Sequence, residues 1–211
     1  MAPELIDRLI EATEAVIEEN AARLTELDSA IGDGDHGHNM RRGFQEIAAQ
    51  REQIRELPLG PALQKAGMAL VMKIGGASGP LYGSLLMSMG KAASETPSDA
   101  NAVAAMWAEG IEAVKRRGKS DVGEKTMLDA LAPALDALRS AATDGIASAE
   151  TLARVRQAAE DGLAATKPML ATKGRASFLG ERSIGHLDPG AQSSALLIGA
   201  VCDVLERELR A

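Results

Sequence analysis

The sequence predicts an all-α protein, a bundle of about eight helices forming one domain over residues 1–211. Three observations predict it. Apolar residues recur at helical spacing along most of the chain. The period-two alternation of Val, Ile and aromatic residues that marks strands is absent throughout. Aromatic residues make up only 2% of the chain while hydrophobic residues make up 45%. The core must then be built from Ala, Leu, Ile, Val and Met, which suits closely packed helices better than sheets.

The elements follow in order. Leu5, Ile6, Leu9, Ile10, Val16 and Ile17 define a first helix from about residue 3 to residue 26. A Gly/Asp segment, Ile31-Gly32-Asp33-Gly34-Asp35-His36-Gly37, interrupts the pattern. A second helix starts near His36, passes Phe44 and Ile47, and is broken by the Pro58–Pro61 stretch. Ala62 to Ile74, rich in Met and Leu, reads as a buried third helix. Gly75-Gly76-Ala77-Ser78-Gly79-Pro80 is a tight loop opening a fourth, with Ser78 as cap and Pro80 in the first turn. Ser98 or Asp99 caps a fifth helix, which ends in Lys115, Arg116 and Arg117, where the helix dipole favours cations. A sixth follows Gly123 and carries Met127, Leu128, Leu131 and Leu135. A seventh opens at Ser148 and ends near Thr166. The chain is Gly-rich between Lys167 and Gly190, and a last helix runs from about Ala191 to Leu209.

A net charge of -7 argues against a general nucleic-acid surface. The single cysteine, Cys202, permits no internal disulfide and fits a reducing compartment. The start, Met1-Ala2-Pro3-Glu4, is not a signal peptide, and no apolar run approaches the roughly 20 residues of a membrane helix. The expectation is a cytoplasmic protein that binds neither nucleic acid nor membrane.

The chemistry concentrates in the Gly/Asp segment. Asp28, Asp33 and Asp35 lie within eight residues, and Gly32, Gly34 and Gly37 free the backbone to bring their carboxylates together. Clustered carboxylates repel one another without a cation. Hard oxygen donors in this number suit Mg²⁺, which completes its shell with water and phosphate. The next helix begins beside them, so its free N–H groups can face a phosphate. The residues alone leave a second reading open, a solvated loop whose Asp and Gly are ordinary turn and cap residues.

Three string matches fail on context. Gly32-x-Gly34-x-x-Gly37 fits the dinucleotide fingerprint, but a helix precedes it and two aspartates stand inside it. Asp33-x-Asp35 starts like a calcium loop, yet His38 and Phe44 occupy the positions that require Gly and Glu. Ala113 to Ser120 imitates a P-loop without its glycine cradle or its preceding strand.

Five ordered motifs carry a family resemblance. Leu27-Asp-Ser-Ala-Ile-Gly-Asp-Gly-Asp-His-Gly-His-Asn-Met40 and Gly75-Gly-Ala-Ser-Gly-Pro-Leu-Tyr-Gly83 are the first two. Gly123-Glu-Lys-Thr-Met-Leu-Asp129, Gly174-Arg-Ala-Ser-Phe-Leu-Gly-Glu-Arg-Ser183 and His186-Leu-Asp-Pro-Gly-Ala-Gln-Ser-Ser194 complete the set. Together they resemble the nucleotide-binding L subunit of dihydroxyacetone kinase, from about residue 5 to the C-terminus.

The resemblance implies a barrel of eight antiparallel helices with ADP or ATP at one end. It implies that Asp28, Asp33 and Asp35 bind two Mg²⁺ ions. It sets His36, Gly37, His38 and Asn39 against phosphate or ribose, and Ala77 and Ser78 against phosphate. Gly118 and Met127 would line the adenine pocket, and Arg175 with the Asp188-Pro189-Gly190 turn would complete the site. Read alone, Met127 is a core residue and Arg175 a surface arginine. His186 has no assigned role. Gly34 and His38 stand where relatives vary, and neither change removes a ligand. The implied mechanism has this chain present the γ-phosphoryl group while a separate K subunit carries the ketose, dihydroxyacetone or a four-carbon sugar such as erythrulose. Arg175 would neutralise transition-state charge. A phosphohistidine M subunit and a transcription regulator are further implied partners. The competing class is an ADP-binding regulatory module without turnover.

Overall fold

A computed structural model describes residues 2–93, 99–145 and 148–210. Among these there is no strand. The helices are α1 (Pro3–Ile31), α2 (His36–Ala49), α3 (Arg51–Arg55), α4 (Leu59–Lys73), α5 (Ser78–Ala92), α6 (Ala100–Gly118), α7 (Leu128–Asp144), α8 (Ser148–Ala165) and α9 (Pro189–Arg210). A 3₁₀ segment covers Arg175–Ser183.

α1 packs on α2, α2 on α4, and each later helix on its successor through α9, which returns against α1. That closes a ring of eight, with the single-turn-scale α3 lying against α1 and α4. Helices alternate in direction around the ring, so α1, α4, α6 and α8 end where α2, α5, α7 and α9 begin. Contacts at this end confirm the register. Arg42 Nε donates to Lys73 O at 2.7 Å, the His36 ring lies 3.0 Å from Ser78 Oγ, and a Cβ on Gly190 would come within 3.5 Å of Met127 Cβ.

The stripe predicted from spacing in α1 faces inward, whereas α4, expected to be buried, turns Ala62, Ala66, Ala69 and Leu70 to the core and leaves Met68, Val71 and Met72 exposed. In α1 the buried positions are Ile6, Ile10, Ile17, Ala21, Leu24, Leu27 and Ile31. Of these, Ile6, Ile10, Ile17 and Leu24 join Met40, Phe44, Leu70, Tyr82, Val114, Leu128 and Leu135 in one core. Small residues let α4 and α5 approach closely: a Cβ on Gly67 would meet Gly83 O at 2.8 Å, and one on Gly60 would meet Gly90 O at 2.7 Å.

Several boundaries differ from expectation. α1 continues to Ile31 and carries Asp28 inside its last turn. α4 starts at Leu59, because Pro61 falls in the first turn, where a missing N–H costs nothing. Ser78 is not a cap: it is the first residue of α5, Ala77 holds the cap position, and no side-chain cap bond forms. Asp99 caps α6 by accepting from Ala102 N at 2.9 Å, and Ser98 lies outside the described residues. The stretch after Lys167 contains the unpredicted 3₁₀ segment. α9 begins at Pro189, with Asp188 accepting from Ala191 N at 2.7 Å. No helix among the described residues is long and apolar enough to cross a membrane.

Candidate functional site

The acidic trio sits where α1 hands over to α2. One carboxylate oxygen from each of Asp28, Asp33 and Asp35 lies within 4.8 Å of the others. The local sequence explains the gathering. A Cβ on Gly32 would fall 2.0 Å from Asp28 Oδ1, so only glycine lets the chain turn across that carboxylate. Gly34 adopts a left-handed φ of 75° and swings Asp35 back. Gly37 seats α2 on α1, since its Cβ would lie 1.9 Å from Ala21 O.

Asp28 is buried, while Asp33 and Asp35 are exposed. Asp28 Oδ2 accepts from the backbone N–H groups of Asp35 at 2.9 Å and His36 at 3.1 Å. Those bonds fix the carboxylate in place. Arg175 Nε meets Asp33 Oδ2 at 2.8 Å, and its side chain is 68% exposed. Three hard anionic donors in such proximity fit a divalent cation in both number and type.

His36 is held on both sides. Its Nδ1 lies 3.0 Å from Ser78 Oγ and its Nε2 lies 2.9 Å from Ser193 Oγ. Burial lowers its pKa, against the pull of Asp28 and Asp35. The Tyr82 hydroxyl shares bonds with Ser193 Oγ at 2.7 Å and Ser194 Oγ at 2.8 Å, and donates to Gly190 O at 3.2 Å. Burial raises that phenol to about 12. This neutral network ties the starts of α2, α5 and α9 together.

The other residues singled out from sequence occupy the same end. Gly37 is buried, and His38 is exposed on α2. Asn39 is buried and accepts from Arg42 at 2.8 Å. Ala77 is exposed before α5. Gly118 ends α6, and its Cβ would lie 3.3 Å from Leu81. Met127 is buried beside Gly190, Pro189 is buried at the start of α9, and His186 is exposed. Burial raises Asp188 to about 7, with the Ala191 N–H and the Lys125 charge opposing and Asp129 reinforcing.

A family model described as the DAK2 domain matches residues 30–203. The chain belongs to the DAK2 domain family. It is 46% identical over 186 residues to a Listeria innocua protein named PEP-dependent dihydroxyacetone kinase 1, ADP-binding subunit DhaL, covering 88% of each chain. It is 47% identical to the Lactococcus lactis PTS-dependent dihydroxyacetone kinase, ADP-binding subunit DhaL, covering 90% of this chain and 91% of that one. Among solved structures it resembles the dihydroxyacetone kinase of C. freundii in complex with AMP-PNP and Mg²⁺, with a TM-score of 0.73 at 26% identity. That match covers 96% of this chain and 34% of the C. freundii chain, so the DAK2 fold here spans about a third of that kinase.

Sequence reasoning passed over the residues that hold the DAK2 site together. Tyr82, Lys125, Asp129, Ser193 and Ser194 all stand inside the quoted motifs, and that position was the available signal. Asp129 fastens the turn before α7 by accepting from Gly123 N and from Thr126 N, the latter at 2.7 Å.

Proposed function

We propose that this chain is the nucleotide-binding subunit of a kinase for dihydroxyacetone or a related ketose. In this reading it holds ADP or ATP through two Mg²⁺ ions and acts with a separate K subunit that carries the sugar. One observation carries the reading: three carboxylates converge within 4.8 Å beside the starts of two helices whose cap positions make no side-chain cap bond. The substrate class and the nucleotide follow from the names of relatives that match almost the whole chain.

Asp28, Asp33 and Asp35 would hold the ions. When bound, Mg²⁺ supplies charge neutralisation on the phosphates. The chain's own groups do the rest. The N–H groups of Gly37 and His38 at the start of α2, and those at Ala77 and Ser78, face the phosphate chain; those of His36 and Asn39 are taken by Asp28 and the Asp35 carbonyl. Gly118, Met127 and the Asp188-Pro189-Gly190 turn receive the nucleoside. Arg175 leaves Asp33 for the transferring phosphoryl group, whose charge it offsets as the bond to ADP breaks and the bond to the ketose hydroxyl forms. The His36 ring, engaged on both nitrogens, and its N–H, taken by Asp28, position helices and are not phosphate ligands. One relative is named as PEP-dependent and the other as PTS-dependent, which favours an ADP that stays bound and is rephosphorylated in place by an M subunit. Such a role belongs in the cytoplasm. A contact with a transcription regulator would be an additional role.

The test is calorimetry with ADP, with and without magnesium, followed by a ketose phosphorylation assay with an added K subunit. Magnesium-dependent heat together with turnover is expected. Binding without turnover would make the chain a silent ADP-binding module, and no nucleotide heat would overturn the reading.

A further inference from the structure

Between α8 and α9 the chain leaves the ring and comes back. The two ends of this excursion meet, since Gly185 N donates to Lys167 O at 2.7 Å. Beside that meeting point, Lys125 Nζ donates to Thr166 O at 2.6 Å and to His186 O. Lys125 is only 1% exposed, and it holds a left-handed φ of 61°. A buried ammonium and a strained non-glycine backbone are both unfavourable unless the surroundings enforce them. Here two carbonyls, one from each side of the loop neck, take two of its three N–H groups.

The loop is also fastened inside. Ser183, fully buried, accepts from Ala171 N at 3.0 Å and donates to Gly180 O at 2.7 Å. Ala171 and Ala176, with Leu179, pack on Ile31 in a cluster apart from the main core. Thr172 N reaches Glu124 O at 3.5 Å, next to Lys125 in the chain. The cargo of this loop is Arg175, whose guanidinium meets Asp33 at 2.8 Å. Little else fixes an arginine whose side chain is 68% exposed.

We infer that Lys125 is a positioning residue for Arg175: by bridging the Thr166 and His186 carbonyls it closes the neck of the 167–185 loop and sets the guanidinium over the acidic trio. The inference rests on the functional reading above, in which Arg175 meets the transferring phosphoryl group. The plain alternative is that Lys125 only offsets the nearby charges of Asp129 and Asp188. That role would affect stability and leave Arg175 alone.

A double-mutant cycle with an added K subunit separates them. Lys125→Met is expected to lower kcat by about 100-fold, the scale of an ångström-sized misplacement of a reacting group. The Kd for MgADP should change by less than about threefold, because the acidic trio is untouched. In an Arg175→Ala background the same substitution should cause no further loss. Hydrogen exchange at Ala171 and Gly185 should quicken in Lys125→Met. Ser183→Ala loosens the same loop away from Asp129 and Asp188, and should give the same pattern at smaller size. It decides the matter if Lys125→Met does not fold. Equal losses of kcat in both backgrounds, or unchanged exchange in the loop, would overturn the inference. Wild-type protein that binds no MgADP would overturn the functional reading instead, a result visible before any variant is made.

Discussion

Asp35→Asn should stabilise the protein without metal and destabilise it, relative to wild type, with metal and nucleotide. Asp35 is the member of the trio to change, because Asp28 holds two backbone N–H groups and Asp33 pairs with Arg175, whereas Asp35 makes no side-chain cap bond. Its carboxylate lies within 4.8 Å of both others. At water-like dielectric each such pair repels by about 0.9 kcal/mol, so neutralising Asp35 relieves about 1.7 kcal/mol. Losing a negative charge at the start of α2 returns about 0.5 kcal/mol of that. The net gain of about 1 kcal/mol corresponds to about 3 °C in a chain of this size. Saturating MgADP at about 100 times Kd should raise wild type by about 2.7 kcal/mol, or about 8 °C, and leave the variant almost unmoved. Differential scanning calorimetry in EDTA and in MgADP should therefore show the two proteins exchange order. A variant that melts below wild type in EDTA, or that keeps the full MgADP shift, would refute the view of these carboxylates as a strained metal cradle.

Three other perturbations probe separate parts of the argument. Arg175→Ala should lower kcat by about 10³ while Kd for MgADP moves less than about fivefold, measured by coupled assay and calorimetry; a large loss of binding with normal kcat would contradict its role. Asp188 is raised from 3.8 to about 7, so the folded state binds the extra proton between those values and stability falls as pH rises through that window, by a total of order 4 kcal/mol. Asp188→Asn keeps an acceptor for Ala191 N and should flatten this decline in urea melts at pH 5 and 8, whereas an unchanged slope would assign the decline to other groups. Gly37→Ala would push a methyl to 1.9 Å from Ala21 O and should cost about 3 kcal/mol in chemical denaturation, and a change under about 0.5 kcal/mol would mean that α1 and α2 part freely.

The fold was legible wherever burial imposes a helical period. The stripes of α1, α4 and α7 announce themselves because one face of each meets the core. The 3₁₀ segment Arg175–Ser183 did not, because its kink at Gly180 and its short turns carry no repeating apolar pattern. Ser78 misled for a definite reason: serine before a helix is a local cap signal, but its hydroxyl bonds to a histidine 42 residues away. The same distance effect hid the rest of the support. His36 reaches Ser193 across 157 residues and Lys125 reaches His186 across 61, and neither spacing leaves a trace in a linear string. The acidic trio was legible because its geometry is local, three carboxylates spaced by glycines within eight residues.

That division also bears on where a phosphate can sit. Four helix starts meet at the functional end of the ring, and each presents backbone N–H groups without intrahelical partners. At α9 the Asp188 carboxyl takes the Ala191 N–H, and at α7 the Thr126 hydroxyl takes the Leu128 N–H while the Asp129 carboxylate fills the turn just before it. Acidic groups already occupying these starts disfavour a second anion. At α2 the Asp28 carboxylate takes the His36 N–H and leaves those of Gly37 and His38, while at α5 the cap position, Ala77, makes no such bond. An uncapped start costs about 1 kcal/mol, which a bound anion recovers. These two starts flank the carboxylate trio and are bridged by the His36 ring through Ser78. In the proposed reading the diphosphate lies at the α5 start beside the trio, with the nucleoside toward Met127 and Gly190. Replacing Ala77 with Asp, which would cap α5 from within, should weaken MgADP binding while raising thermal stability in its absence.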